Sequence, residues 1–83
     1  MLIFYGGQEK SINDIILMLK LDEAMQLRGA IDDLIENEKN GGKSFHKHIN
    51  NEGYTKEITV SIYNNKSINE FSPLIKNMIL NNE

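Results

Sequence analysis

Leu21 to Glu38, LDEAMQLRGAIDDLIENE, most limits what this chain folds into, because its apolar residues admit one periodicity. Ala24, Leu27, Ile31, Leu34 and Ile35 recur at spacings of three and four, which lays them along one stripe of an α-helix. Asp22 suits the N-cap, and Glu23 favours the positive end of the helix dipole. Asn40-Gly41-Gly42 tolerates positive φ, so the spacing predicts a helix that stops by about Lys39. The same segment holds Asp22, Glu23, Asp32, Asp33, Glu36 and Glu38 against Arg28 alone. That is a balance of −5, the remainder of the chain sums to +2, and the total is −3. The net acidity of the protein therefore lies on this one helix.

With 83 residues the expected organisation is a single domain over 1–83. A core of that size leaves roughly 3–5 kcal/mol of stability without staples, so self-association is an open alternative. Cysteine is absent, which excludes disulfides, thiolate zinc sites and a Cys nucleophile. The opening MLIFYGGQEK has no basic n-region followed by a long apolar run, and no apolar stretch approaches ~20 residues. The expectation is a cytoplasmic protein without membrane contact. A pI near 5.3 offers no cationic excess to displace counterions, so direct nucleic-acid binding is not expected. It suits a basic protein partner.

Leu2-Ile3-Phe4-Tyr5, ended by Gly6-Gly7, reads as an N-terminal strand, and Gln8 to Asn13 as a turn. Asp14 to Leu21 is nearly all apolar and admits two readings. Its shortness and the fresh cap at Asp22 favour a strand; the alternative is one long helix capped by Ser11 and running from Ile12 to Glu38. After the Gly pair, Ser44 to Ile49 and Lys56 to Tyr63 both alternate with period two, around a turn at Asn50-Asn51-Glu52-Gly53. Ile58, Val60 and Ile62 should face the helix with Phe45 and Ile49. His46, His48, Glu57, Thr59, Ser61 and Tyr63 belong to the other face. Ser67-x-x-Glu70 resembles a capping box, but Pro73 would lie inside a helix begun there. Ser72 as N-cap with Pro73 at the first helical position is better, leaving Ser67 to Phe71 irregular or 3₁₀. Leu74, Ile75, Met78 and Ile79 form the stripe of this last helix. The predicted fold is α+β, in the order β-β-α-β-β-α, with an antiparallel sheet packed on one main helix.

His46-x-His48 puts two imidazoles on one side of a strand, where they would share a metal if Glu57 supplied a third ligand. Solvated strand histidines and a partner contact are the competing readings, and no other ligand has matching spacing. No cofactor is expected. Ser44 beside the histidines has no orienting carboxylate, and Asp32-Asp33 diverge by roughly 100° on a helix, so no catalytic group is assigned. Gly42-Lys43-Ser44 echoes the end of a phosphate loop, but it follows a helix and opens a strand, the reverse of what that motif requires.

The pattern Leu21-Asp22-Glu23-Ala24, Leu27-Arg28, Leu34-Ile35, His46-x-His48 and Lys56 to Tyr63 resembles small bacterial α+β proteins, among them immunity proteins of polymorphic-toxin systems. The resemblance covers Leu21 to Tyr63, about half the chain. It implies a non-enzymatic protein that binds and blocks a cognate toxin made by the same cell; the acidic helix, read as a docking surface for a basic partner, separately suggests an inhibitor of a toxin or defence enzyme, with basic nucleases as a target class. The residues expected to contact the partner are Asp32, Asp33 and Glu36 on the helix, with His46, His48, Glu57 and Tyr63 on the sheet. The alternatives are a self-associating regulatory protein, as a homodimer, and a His-x-His metal-binding protein.

Overall fold

In the computed structural model, which describes residues 1–8, 10–43 and 45–82, the helix predicted from the apolar spacing spans Leu21–Lys39 (α1). It begins two residues earlier than a cap at Asp22 would have it. Lys20 takes the N-cap position with extended backbone, and its N–H donates to the Glu23 carboxylate at 2.9 Å. Asp22 and Glu23 both lie in the first turn, where the dipole favours them. The C-terminal stop follows from two glycines. Gly41 sits at φ +69, and the N–H groups of Gly41 and Gly42 return to the carbonyls of Glu38 and Asn37, at 3.2 and 3.0 Å. This is a Schellman closure, which satisfies carbonyls that the helix leaves open.

The chain then forms a hairpin of β1, His46–Asn50, and β2, Glu57–Ser61. His46 pairs with Ser61, Lys47 with Val60, His48 with Thr59, Ile49 with Ile58 and Asn50 with Glu57. Asn51 organises the connection: its side-chain oxygen accepts from the N–H groups of Thr55 and Lys56, both at 2.9 Å. Its amide nitrogen donates to Thr55 Oγ1 at 2.9 Å. Within the two strands the period-two expectation holds, with Ile49, Ile58 and Val60 on the inner side and His46, His48, Glu57, Thr59 and Ser61 on the outer, but Phe45 and Ile62, expected on the inner face, lie outside the strands, and Phe45 is exposed.

Two compact units make up the chain, Met18–Asn64 and a discontinuous one formed by Met1–Leu17 with Asn65–Glu83. In the first, α1 packs on the hairpin, and Ala30, Leu34 and Ile49 are buried. The buried side of α1 is turned roughly 60° from the predicted stripe at 100° per residue, leaving Ile31 and Ile35 exposed. Among the described residues only two strands lie beneath the helix, and they cover part of a stripe wide enough for more. In the second unit Met78, Ile79 and Ser67 are buried. Its helix α2, Pro73–Asn82, starts as the sequence predicts, with Ser72 Oγ accepting from the Ile75 N–H at 3.3 Å. Ser67–Glu70 is a 3₁₀ turn, and Leu74 of the predicted stripe is exposed.

The α+β class is seen, but the four strands of the β-β-α-β-β-α order are not found among the described residues. Among the described residues the sheet has two strands, and the coarse class is two helices with an antiparallel pair. Leu2–Tyr5 contributes a single isolated bridge, Phe4 to Ser11, closed by the Ile12 N–H on the Ile3 carbonyl at 2.7 Å. Asp14–Leu21 is neither strand nor part of one long helix: 14–19 carry no helical or ladder bonding, the Lys20 carbonyl accepts from the Ala24 N–H at 2.9 Å as the N-cap, and Leu21 opens α1. Its apolarity signals a need for burial, but no strand among the described residues pairs with it.

Candidate functional site

The outer face of the hairpin brings the two histidines together. Their ring centroids are 4.7 Å apart in an edge-to-face arrangement, as alternate strand residues on one side should be. His48 Nδ1 lies 3.1 Å from Glu57 Oε1 and 2.9 Å from Thr59 Oγ1. An ionised carboxylate only accepts, so this network assigns the hydrogen to Nδ1, with Thr59 as a second acceptor. Glu57 thus holds the imidazole instead of joining it as a ligand. Among the described residues no group of three or more His, Asp or Glu is arranged to hold a metal ion, and the third ligand that His46-x-His48 needs is missing. Ser44, the one hydroxyl weighed beside these histidines, lies outside the described residues.

The acidic helix residues are dispersed in their surroundings. Asp33 Oδ2 pairs with Lys47 Nζ of β1 at 3.2 Å, so this carboxylate ties α1 to the hairpin. Both side chains are well exposed, and such a pair is worth at most ~1 kcal/mol. Glu36 accepts from the Asn40 amide at 3.2 Å at the end of the helix. Asp32 stands with Arg28 on the rim of a shallow apolar groove formed by Leu19, Ala24, Leu27 and Ile31. Leu19 and Ala24 occupy the positions that a hydrophobic staple uses just before and inside a helix. Tyr63 is half-buried beyond the end of β2. Of the seven predicted contact residues, His46, His48 and Glu57 are gathered on the hairpin, and Asp32 and Glu36, one helical turn apart, share a separate side of α1.

A second, polar groove joins the first turn of α1 to the hairpin loop. It is lined by Asp22, Glu23, Gln26, His48, Asn50, Asn51, Glu52 and Tyr54, and none of the described lysines or arginines is among them. Asp22 and Gln26 are one helical turn apart and so share a side. Tyr54 is exposed at its mouth and has φ +54, the left-handed region that a side chain ordinarily avoids at a cost of roughly 1–2 kcal/mol. Its N–H is held by the Asn51 carbonyl at 3.0 Å. The sequence does not single out Tyr54, because Gly53 beside it is the natural residue for positive φ. The only signal is the dense Asn-Asn-Glu-Gly turn chemistry before it.

Among the described residues no helix is long and apolar enough to cross a membrane. No protein-family model, curated protein or solved structure matches this chain.

Proposed function

We propose that this chain is a non-enzymatic binding protein of the cytoplasm, acting as an immunity-type inhibitor that receives a basic segment of a toxin or defence enzyme. One observation carries this reading: Asp22, Glu23 and Glu52 line a single groove with an exposed tyrosine at its mouth and none of the described lysines or arginines within it. A lysine or arginine entering there meets carboxylates that form charge-assisted hydrogen bonds and a tyrosine ring, whose face adds ~0.5–1 kcal/mol for a cation at an exposed site. Tyrosine also suits an interface anchor, giving large contact area for few rotatable bonds. His48, held by Glu57 and Thr59, forms one wall, so the sheet-face residues and the first turn of α1 act together. Asp32, Asp33 and Glu36 then contribute long-range attraction, which raises the association rate more than the affinity.

The direct test is a titration of the protein with a short Lys/Arg-rich peptide, followed by amide chemical shifts. Changes at 22–26, 48 and 50–54 that fade as salt is raised agree with the proposal. Shifts confined to 32–36, or undiminished after Asp22→Lys with Glu52→Lys, overturn this placement of the site. Inhibition is tested separately: a basic enzyme captured by the wild type should lose activity on binding and escape the double variant.

A further inference from the structure

Asn40-Gly41 is the one place in the sequence where glycine follows asparagine, and it falls at the end of α1. Asn40 is the C-cap, with φ −89 and ψ 5, and its side-chain amide donates to Glu36 Oε1 at 3.2 Å. The Gly41 N–H donates to the Glu38 carbonyl at 3.2 Å. These groups all lie within Met18–Asn64 and close together along the chain, so their geometry is local. The pair has a latent chemistry. A glycine nitrogen, with no side chain beside it, can attack the side-chain carbonyl carbon of the asparagine before it and close a five-membered ring. The structure opposes that step in three ways. A ψ of 5 sets the Gly41 nitrogen beside the Asn40 backbone nitrogen and away from Cβ, the bond to Glu38 occupies the Gly41 hydrogen, and Glu36 holds the Asn40 amide.

We infer that Asn40 is a deamidation site gated by the C-cap of α1, reacting when the cap opens and leaving a product that closes the cap less well. On opening, the Gly41 nitrogen gives its hydrogen to solvent and bonds to Asn40 Cγ. The Cγ–Nδ2 bond breaks, and Nδ2 takes a proton and leaves as ammonia. Water then adds to the cyclic imide. Cleavage between the ring nitrogen and Cγ gives aspartate; cleavage between that nitrogen and the backbone carbonyl carbon gives isoaspartate, whose main chain runs through Cβ and Cγ. No oxidant or reductant takes part. Either product undoes something the cap now has. Aspartate places a carboxylate four residues from Glu36, where a donor stood, and at the helix end that disfavours negative charge. Isoaspartate lengthens the main chain between α1 and Gly41, whose φ of +69 closes the helix. Ammonia is lost, so the change runs one way and accumulates with the age of the molecule.

The test is to age the full chain at mildly alkaline pH, in buffer and in concentrated urea, and to follow each asparagine by peptide mapping with mass spectrometry. In urea the mass gain of an amide turned to an acid should appear at Asn40 before any other asparagine, with isoaspartate identified by fragmentation. Conversion of Asn40 in buffer should be slower by at least about tenfold, the factor for a cap open no more than about a tenth of the time. Glu36→Ala, with α1 helicity checking that it folds, should speed conversion in buffer about threefold and leave the rate in urea unchanged. Asn40→Asp should lower the urea midpoint, and high salt should narrow the difference. Another asparagine converting first in urea overturns the assignment of the site. Equal rates in buffer and urea overturn the gating, as does a Glu36→Ala rate in buffer no faster than wild type. An Asn40→Asp midpoint equal to wild type at low salt overturns the consequence for the cap.

Discussion

Gly41 shows how a single residue sets the end of an element. At φ +69 it adopts the backbone that the Schellman closure requires, and Gly41→Ala should lower stability by about 1 kcal/mol in urea unfolding. Gly42 is constrained for a different reason: a Cβ there would collide with the Asn37 side chain, whose amide donates to the Lys43 carbonyl at 2.8 Å. Leu34, 3% exposed, is one of the two most buried core side chains, with Ile79. Leu34→Ala should cost about 2–5 kcal/mol, enough to unfold much of a domain this small, as a loss of cooperative melting would show. Tyr54 runs the other way. Relieving its left-handed backbone with Tyr54→Gly should leave the urea midpoint unchanged or raise it, while weakening uptake of the basic peptide. A residue that costs stability where it stands and contributes nothing to the core fits a role in contact better than one in folding.

At the scale of elements, the hairpin is held more by its register and its packing on α1 than by its polar face. Glu57→Gln, which removes the carboxylate from His48, should therefore lower stability by less than about 1 kcal/mol, and the difference should shrink in high salt. The hairpin was legible in the sequence because alternation fixes which residues share a face, and Ser72-Pro73 was legible because a proline at that position has one good place in a helix. Ile31 and Ile35 were not. Their spacing marks them as part of an apolar stripe, but which part becomes buried depends on how many strands lie beneath, and that number is a tertiary property. Asp14 to Leu21 failed for a related reason. Composition reports that a segment gains from burial and is silent on whether the partner belongs to the same chain. The site was half legible: His46, His48 and Glu57 followed from period two, while Asp22, Glu52 and Tyr54 converge only once the hairpin loop is folded beside the first turn of α1.

For the molecule as a whole, the division of the chain has a consequence in time. Met18–Asn64 is continuous, while the other unit is assembled from Met1–Leu17 and Asn65–Glu83, which are separated in sequence by the whole of the first. Local contacts form before those that close a long loop, because the closure entropy grows with the intervening length. Pulse-labelled hydrogen exchange during refolding should accordingly protect the amides of α1 and the hairpin before those of α2 and Ile12. During synthesis the same order is imposed by the direction of translation. Ile15 to Leu17 leave the ribosome early and have no finished unit to join until Met78 and Ile79 have been made. The chain thus carries this apolar stretch, without the rest of its unit, through much of its own production.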